Sequence, residues 1–152
     1  MNKLSPIKIV AIVFLIVAAI GLFDATYLTI MHYRGGVPPC SILSGCEVVL
    51  TSMFNKIFGI PVALLGVIYY FSMFSLALIY FVTKNLRVMR VASYLTVIGM
   101  LATIYFVYLM SFVIKDACVY CITSAISSTT LFILGIYIIK KTRAVCKVIT
   151  NL

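Results

Sequence analysis

Val91–Ile139 reads VASYLTVIGM LATIYFVYLM SFVIKDACVY CITSAISSTT LFILGIYII, and only Lys115 and Asp116 carry charge in it. Those two residues divide it into two apolar runs, Val91–Ile114 and Cys118–Ile139. Each is long enough to cross a hydrocarbon core of about 30 Å, for which ~20 helical residues suffice. Two more runs of that length lie upstream, Ile9–Tyr33 and Ile60–Thr83. Lipid offers no partner to backbone N–H and C=O groups, so each run is expected to be a helix. The expected fold is therefore all-α: a four-transmembrane-helix bundle forming one domain over residues 1–152, with no internal repeat.

Composition excludes the water-soluble alternative. The chain is 64% hydrophobic and 10% charged, against about 45–50% and about 25% for soluble proteins. Lys3 and Lys8 precede the first run as they would in a signal peptide. The run is too long for one, lacks a clear small-residue cleavage site and is followed by three more spans, so it is expected to be retained.

The basic residues orient the bundle. With four spans, Lys3, Lys8, Lys84, Arg87, Arg90, Lys140, Lys141, Arg143 and Lys147 share one side, nine of the twelve Lys and Arg. The other side holds Arg34, Lys56 and Lys115, offset by Asp24, Glu47 and Asp116. The positive-inside rule then places both termini in the cytoplasm and the Arg34–Gly59 connection outside a cytoplasmic (inner) membrane. The formal net charge of +9 reports topology and contact with anionic lipid, and no nucleic-acid partner is expected.

Cys40, Cys46 and Cys118 thereby face an oxidising compartment, with Cys121 one turn deeper in the membrane. Cys146 stands alone among Lys and Arg on the other side and reads as a spare thiol. In the outer connection, Gly35-Gly36 and Pro38-Pro39 form a flexible, then stiff leader into Cys40. Val49, Leu50, Met53, Phe54, Ile57 and Phe58 then recur at helical spacing, which suits an amphipathic half-helix lid lying at the interface. Gly59 ends it, and Pro61 fits the first turn of the second span.

Thiol–disulfide exchange needs one sulfur that attacks and one that leaves. Cys118-Val-Tyr-Cys121 opens the fourth span. There Cys118 meets unpaired N–H groups and the positive end of the helix dipole, which favour a thiolate. Cys121, three residues on, is on nearly the same face and can close a small disulfide ring. Cys40 and Cys46 are the spacing of an ordinary loop bridge and gain meaning beside the second pair. A four-thiolate metal site is not expected, because C-x5-C departs from the usual x2–x4 spacing and Cys121 lies below the surface.

Cys40-x5-Cys46-Glu-Val-Val-Leu-Thr-Ser52, Asn55-Lys-Ile-Phe-Gly59-Ile-Pro61 and Cys118-Val-Tyr-Cys121-Ile-Thr together resemble the vitamin K epoxide reductase family. Asp24-Ala-Thr-Tyr-Leu-Thr resembles its prokaryotic branch, and the likeness runs through about residues 9–139. The resemblance implies a four-helix bundle around a quinone. It also implies oxidation of a thioredoxin-like extracytoplasmic protein, the work of the disulfide bond formation protein B type. The family's fused thioredoxin domain is missing from this chain, so the partner would be a separate polypeptide. By the same resemblance Cys40 takes the partner's electrons, Cys46 relays them to Cys118, and Cys121 is the thiol nearest the quinone. Ser52 matches the half-helix hydroxyl, and Asn55 the amide that bonds a quinone carbonyl in animal members. Ala125 stands where those members carry a tyrosine, which counts against epoxide chemistry.

The expected cofactor is a quinone of the ubiquinone, menaquinone or vitamin K type, in an apolar pocket with few polar groups. Phe54 and Phe58 are expected in its lining, with Tyr69 and Phe112 as possible walls. Asp24 lies inside the first span, where an ionisable group is costly. A structural hydrogen bond, or a pair with Lys115 or Lys56, is the expected reason for it. His32 reads as a solvated helix end, and Thr123, Ser124 and Ser127–Thr130 as small residues for close helix packing. Two other readings stay open: a vitamin K epoxide or quinone reductase driven by thiols, and a non-catalytic tetraspan scaffold with two structural disulfides.

Overall fold

Four helices long and apolar enough to span a bilayer make up most of the computed structural model, which describes residues 5–36, 56–57, 59–116 and 118–150. They are α1 (Ser5–Tyr33), α2 (Val62–Thr83), α3 (Leu86–Tyr108) and α4 (Val119–Thr150). The apolar spans within them are Pro6–Tyr33, Val62–Thr83, Leu86–Ile114 and Val119–Arg143. These lie within a few residues of the runs expected from sequence. Each helix packs against two others, α1 on α2 and α4, α3 on α2 and α4, so the bundle closes into a ring.

The α2–α3 link is the tightest. Lys84 turns the chain with φ 54°, and its N–H donates to the Tyr80 carbonyl at 2.8 Å. Asn85 caps α3 by accepting the Arg87 N–H at 3.0 Å, satisfying one of the donors every helix start leaves open. At the opposite end α3 changes winding: Leu109–Ile114 is π-helical, and Lys115 (φ 58°) closes it. Such turns carry one extra residue per bond and often lie near functional sites.

Lys56–Ile57 (β1) and Ile60–Pro61 (β2) form a two-residue antiparallel hairpin, with Gly59 at φ 81°. The helical pattern expected to run through Phe58 therefore stops before Lys56. Two backbone segments joined by ladder hydrogen bonds cannot also belong to a helix. Residues 37–55, where the rest of the expected half-helix falls, lie outside the described residues.

The bundle interior mixes large and small side chains. Phe14, Tyr70, Met73, Met89, Leu131 and Ile138 are fully buried beside Ala11, Ala18, Ala77 and Ala92. Small residues let backbones approach, the usual basis of helix association in lipid. Gly135 lies against Thr96 and the Ser93 backbone, and a Cβ at Gly99 would overlap the Tyr69 ring. The Ser/Thr run on α4 does pack this way, with Ser127 and Ser128 buried. Hydroxyls inside the helices donate back to carbonyls one turn earlier, as Thr29 to Ala25 (2.8 Å) and Ser93 to Met89 (2.8 Å), so few are left without a partner in lipid. The outer surface is apolar, from Phe23 through Val82 to Ile133.

Candidate functional site

Cys118 sits directly before α4 and occupies its N-cap. Its carbonyl accepts the Ile122 N–H at 3.0 Å, the first bond of the helix. Its side chain is 0% exposed, where the sequence placed it on or near the outer face. Cys121, one turn on, is half-buried. Both are free thiols here. The Cys121 S–H donates to the Cys118 sulfur, which the backbone N–H groups of Cys121 and Tyr120 also reach. Together they lower the Cys118 thiol from about 9 to about 6, against the burial that pushes it up. The lowering expected from the helix N-terminus is present, and the strongest single cause is the neighbouring thiol.

Two helices pack around this pair. From α1, Tyr27 packs its ring 5.5 Å from that of Tyr120, the residue inside the C-x-x-C. From α2, the Tyr70 hydroxyl donates to the Ser124 carbonyl at 2.8 Å and lies 3.1 Å from Ser124 Oγ. Gly21 on α1 makes room for that ring, because a Cβ there would overlap it. One turn along the same face, Asp24 stands close enough to Cys118, Cys121, Tyr70 and Tyr120 for its charge to act on each. Its Oδ2 is buried without a hydrogen-bond partner. Neither the structural hydrogen bond at that oxygen nor an ion pair with Lys115 is formed, and the Lys56 side chain lies outside the described residues.

Other expectations fare differently. Tyr69 is half-buried, its hydroxyl converging with Ser128 Oγ beside Gly99, and neither atom has a hydrogen-bond partner of good geometry. Phe112 is 68% exposed and stacks on Tyr108 at 5.1 Å. It does not line the groove between α1 and α4. His32 meets Tyr33 edge-on at 5.9 Å. Cys40, Cys46, Ser52, Phe54, Asn55 and Phe58 lie outside the described residues. Tyr70 and the Tyr27–Tyr120 pair were not singled out from sequence. A tyrosine within the C-x-x-C and another three residues after Asp24 were the available signals.

The residues present suit a quinone. A cavity of about 250 Å³ lies between α1 and α4, lined by Val17, Ile20, Thr123, Ile126, Ser127 and Thr130. That approaches the lower end of ligand pockets, about 300–1,000 Å³. Its α4 lining, Thr123 to Thr130, lies on the side of the helix turned away from Cys121, and exposed Ile20 and Ile126 open it toward lipid. Such a groove admits a flat apolar molecule from the bilayer, and the orphaned Asp24 oxygen lies on the same pair of helices. A bound quinone would supply a two-electron acceptor.

No curated protein matches this chain. The sequence model of the Vitamin K epoxide reductase family matches residues 12–136, and with four apolar spans and a dithiol at the head of the last one, the chain belongs to that family.

Proposed function

We propose that this chain is a membrane thiol:quinone oxidoreductase. It oxidises a separate thioredoxin-fold protein on the extracytoplasmic side, reduces a lipid quinone and so supports disulfide formation. Family membership makes it a multi-pass membrane oxidoreductase of a family that acts on quinones. The observation that carries the finer reading is the Cys118–Cys121 pair. One thiol is held toward the thiolate at a helix cap, with its partner one turn away as the donor to it. A structural bridge has no need of an activated sulfur. In the proposed relay Cys40 receives electrons from the partner, Cys46 passes them to Cys118, and Cys121 faces the quinone, with Ser52, Phe54, Asn55 and Phe58 in the pocket. Both termini lie in the cytoplasm.

The test is anaerobic purification followed by quinone reduction driven by a reduced thioredoxin-fold protein. Wild type should reduce quinone in proportion to partner disulfide formed, and Cys121→Ala should not. Activity that survives Cys121→Ala removes the site assignment. Thiols that ignore quinone altogether leave the non-catalytic scaffold as the better description.

A further inference from the structure

The geometry points to Asp24 as the proton acceptor of the dithiol, taking a thiol proton as Cys118 and Cys121 are oxidised and returning it to the reduced quinone. Three observations converge on it. A carboxylate inside a membrane span is retained against a desolvation cost of at least a few kcal/mol. Its Oδ2 is shut away from water with no hydrogen-bond donor to compensate it. A purely structural aspartate would be expected to have found one. The titratable groups that face it are Tyr70 from α2, and Cys118, Tyr120 and Cys121 from the head of α4. Tyr70 is already committed to Ser124 and Tyr120 is packed on Tyr27, which leaves the sulfurs to exchange a proton with it.

The balance is simple. With Cys118 already a thiolate, closing the Cys118–Cys121 disulfide breaks the Cys121 S–H bond, forms one S–S bond and releases two electrons and one proton. Both electrons leave this chain for the quinone, the oxidant of the proposed reaction, and a hydroquinone results. One proton passes from a thiol to the Asp24 carboxylate and on to a hydroquinone oxygen, which leaves Asp24 ionised as it began. The second reaches the remaining oxygen from water, which took up the Cys118 proton when that thiolate formed. Asp24 has the returning half of this role only if the dithiol works against a quinone, as proposed above.

The test compares wild type with Asp24→Asn and Asp24→Glu in lipid nanodiscs. Without quinone, the pH profile of Cys118 and Cys121 alkylation by iodoacetamide is measured. Losing a negative charge beside the sulfurs eases thiolate formation, so Asp24→Asn should shift the midpoint down by about half a pH unit or more. Quinone reduction by the same variant should nevertheless slow at least about tenfold, general acid–base groups contributing about 10²–10⁴-fold. Asp24→Glu should keep the wild-type profile and most of the rate. A thiol that becomes easier to ionise while turnover falls is a pattern that mere loosening of the fold does not produce. Identical alkylation profiles, or turnover within about twofold of wild type in Asp24→Asn, would overturn the assignment.

If Asp24→Asn fails to fold, infrared difference spectra decide the matter. The dithiol of wild type and of Asp24→Glu is oxidised with 4,4′-dithiodipyridine. A carboxyl C=O band should change on oxidation and move in the glutamate variant, and no carboxyl change refutes the proposal. Wild type that reduces no quinone would overturn the thiol:quinone reading, while the alkylation and infrared measurements, run without quinone, still decide whether Asp24 takes the proton.

Discussion

Cys118 is subject to opposed influences, a buried position that disfavours charge and three donors that favour it, and the donors win. Its alkylation rate should therefore be half-maximal near pH 6. An ordinary thiol reaches that point near about pH 8.5. The thiolate fraction grows as pH rises through the midpoint, so reactivity is nearly full at pH 7 and fades below about pH 5. Replacing Cys121 by Ala removes the strongest donor and should move the midpoint up by about one unit or more; an unmoved midpoint would assign the effect to the helix cap alone. The C-x-x-C was legible because its spacing is tied to local helix geometry. The closeness of Asp24 to those sulfurs was not, since it depends on how α1 and α4 align. Gly99 tests packing at the same scale. Its Cα faces the Tyr69 ring and Ser128 Oγ, so Gly99→Ala should cost about 1–3 kcal/mol as overpacking, read by unfolding in mixed micelles.

Among the helices, α4 carries the dithiol, the Ser124 carbonyl that Tyr70 holds, and one side of the lipid-open groove. Tyr70→Phe deletes the hydroxyl that ties α2 to α4. The expected loss is about 0.5–1.5 kcal/mol, seen as a lower thermal midpoint in detergent with the same helical signal at low temperature; unchanged stability would mean that the bond adds nothing. Span existence was plain from hydropathy, because length and apolarity alone decide it. Which face each span turns inward was not plain. Helices apolar on every side carry no stripe to read, and so Phe112 was taken as a candidate pocket wall although its side chain is largely exposed. The end of the half-helix was misread because Lys56 and Ile57 continue an apolar rhythm that hairpin pairing with Ile60 and Pro61 overrides.

The molecule as a whole is a ring of four spans with opposite ends of unequal charge. Basic residues gather around the α2–α3 link and the end of α4. Arg143 reaches the Tyr94 hydroxyl at 3.4 Å, and the Lys141 ammonium lies 5.8 Å from the Tyr137 ring centre. In a cysteine-free background, Lys115→Cys should react with an impermeant maleimide added outside intact cells, and Arg87→Cys should react only after lysis. The reverse pattern would invert the orientation and place the dithiol on the reducing side. The connection between Lys84 and Asn85 has a mechanical corollary. Tyr70 lies about 21 Å along α2 from it, at 1.5 Å per residue. One degree of play at that pivot would swing the tyrosine hydroxyl sideways by roughly 0.4 Å over that length, a sizeable part of the tolerance of a hydrogen bond. Play at the Lys84–Asn85 turn would thus be felt at the Tyr70–Ser124 bond, in the half of α2 remote from that turn.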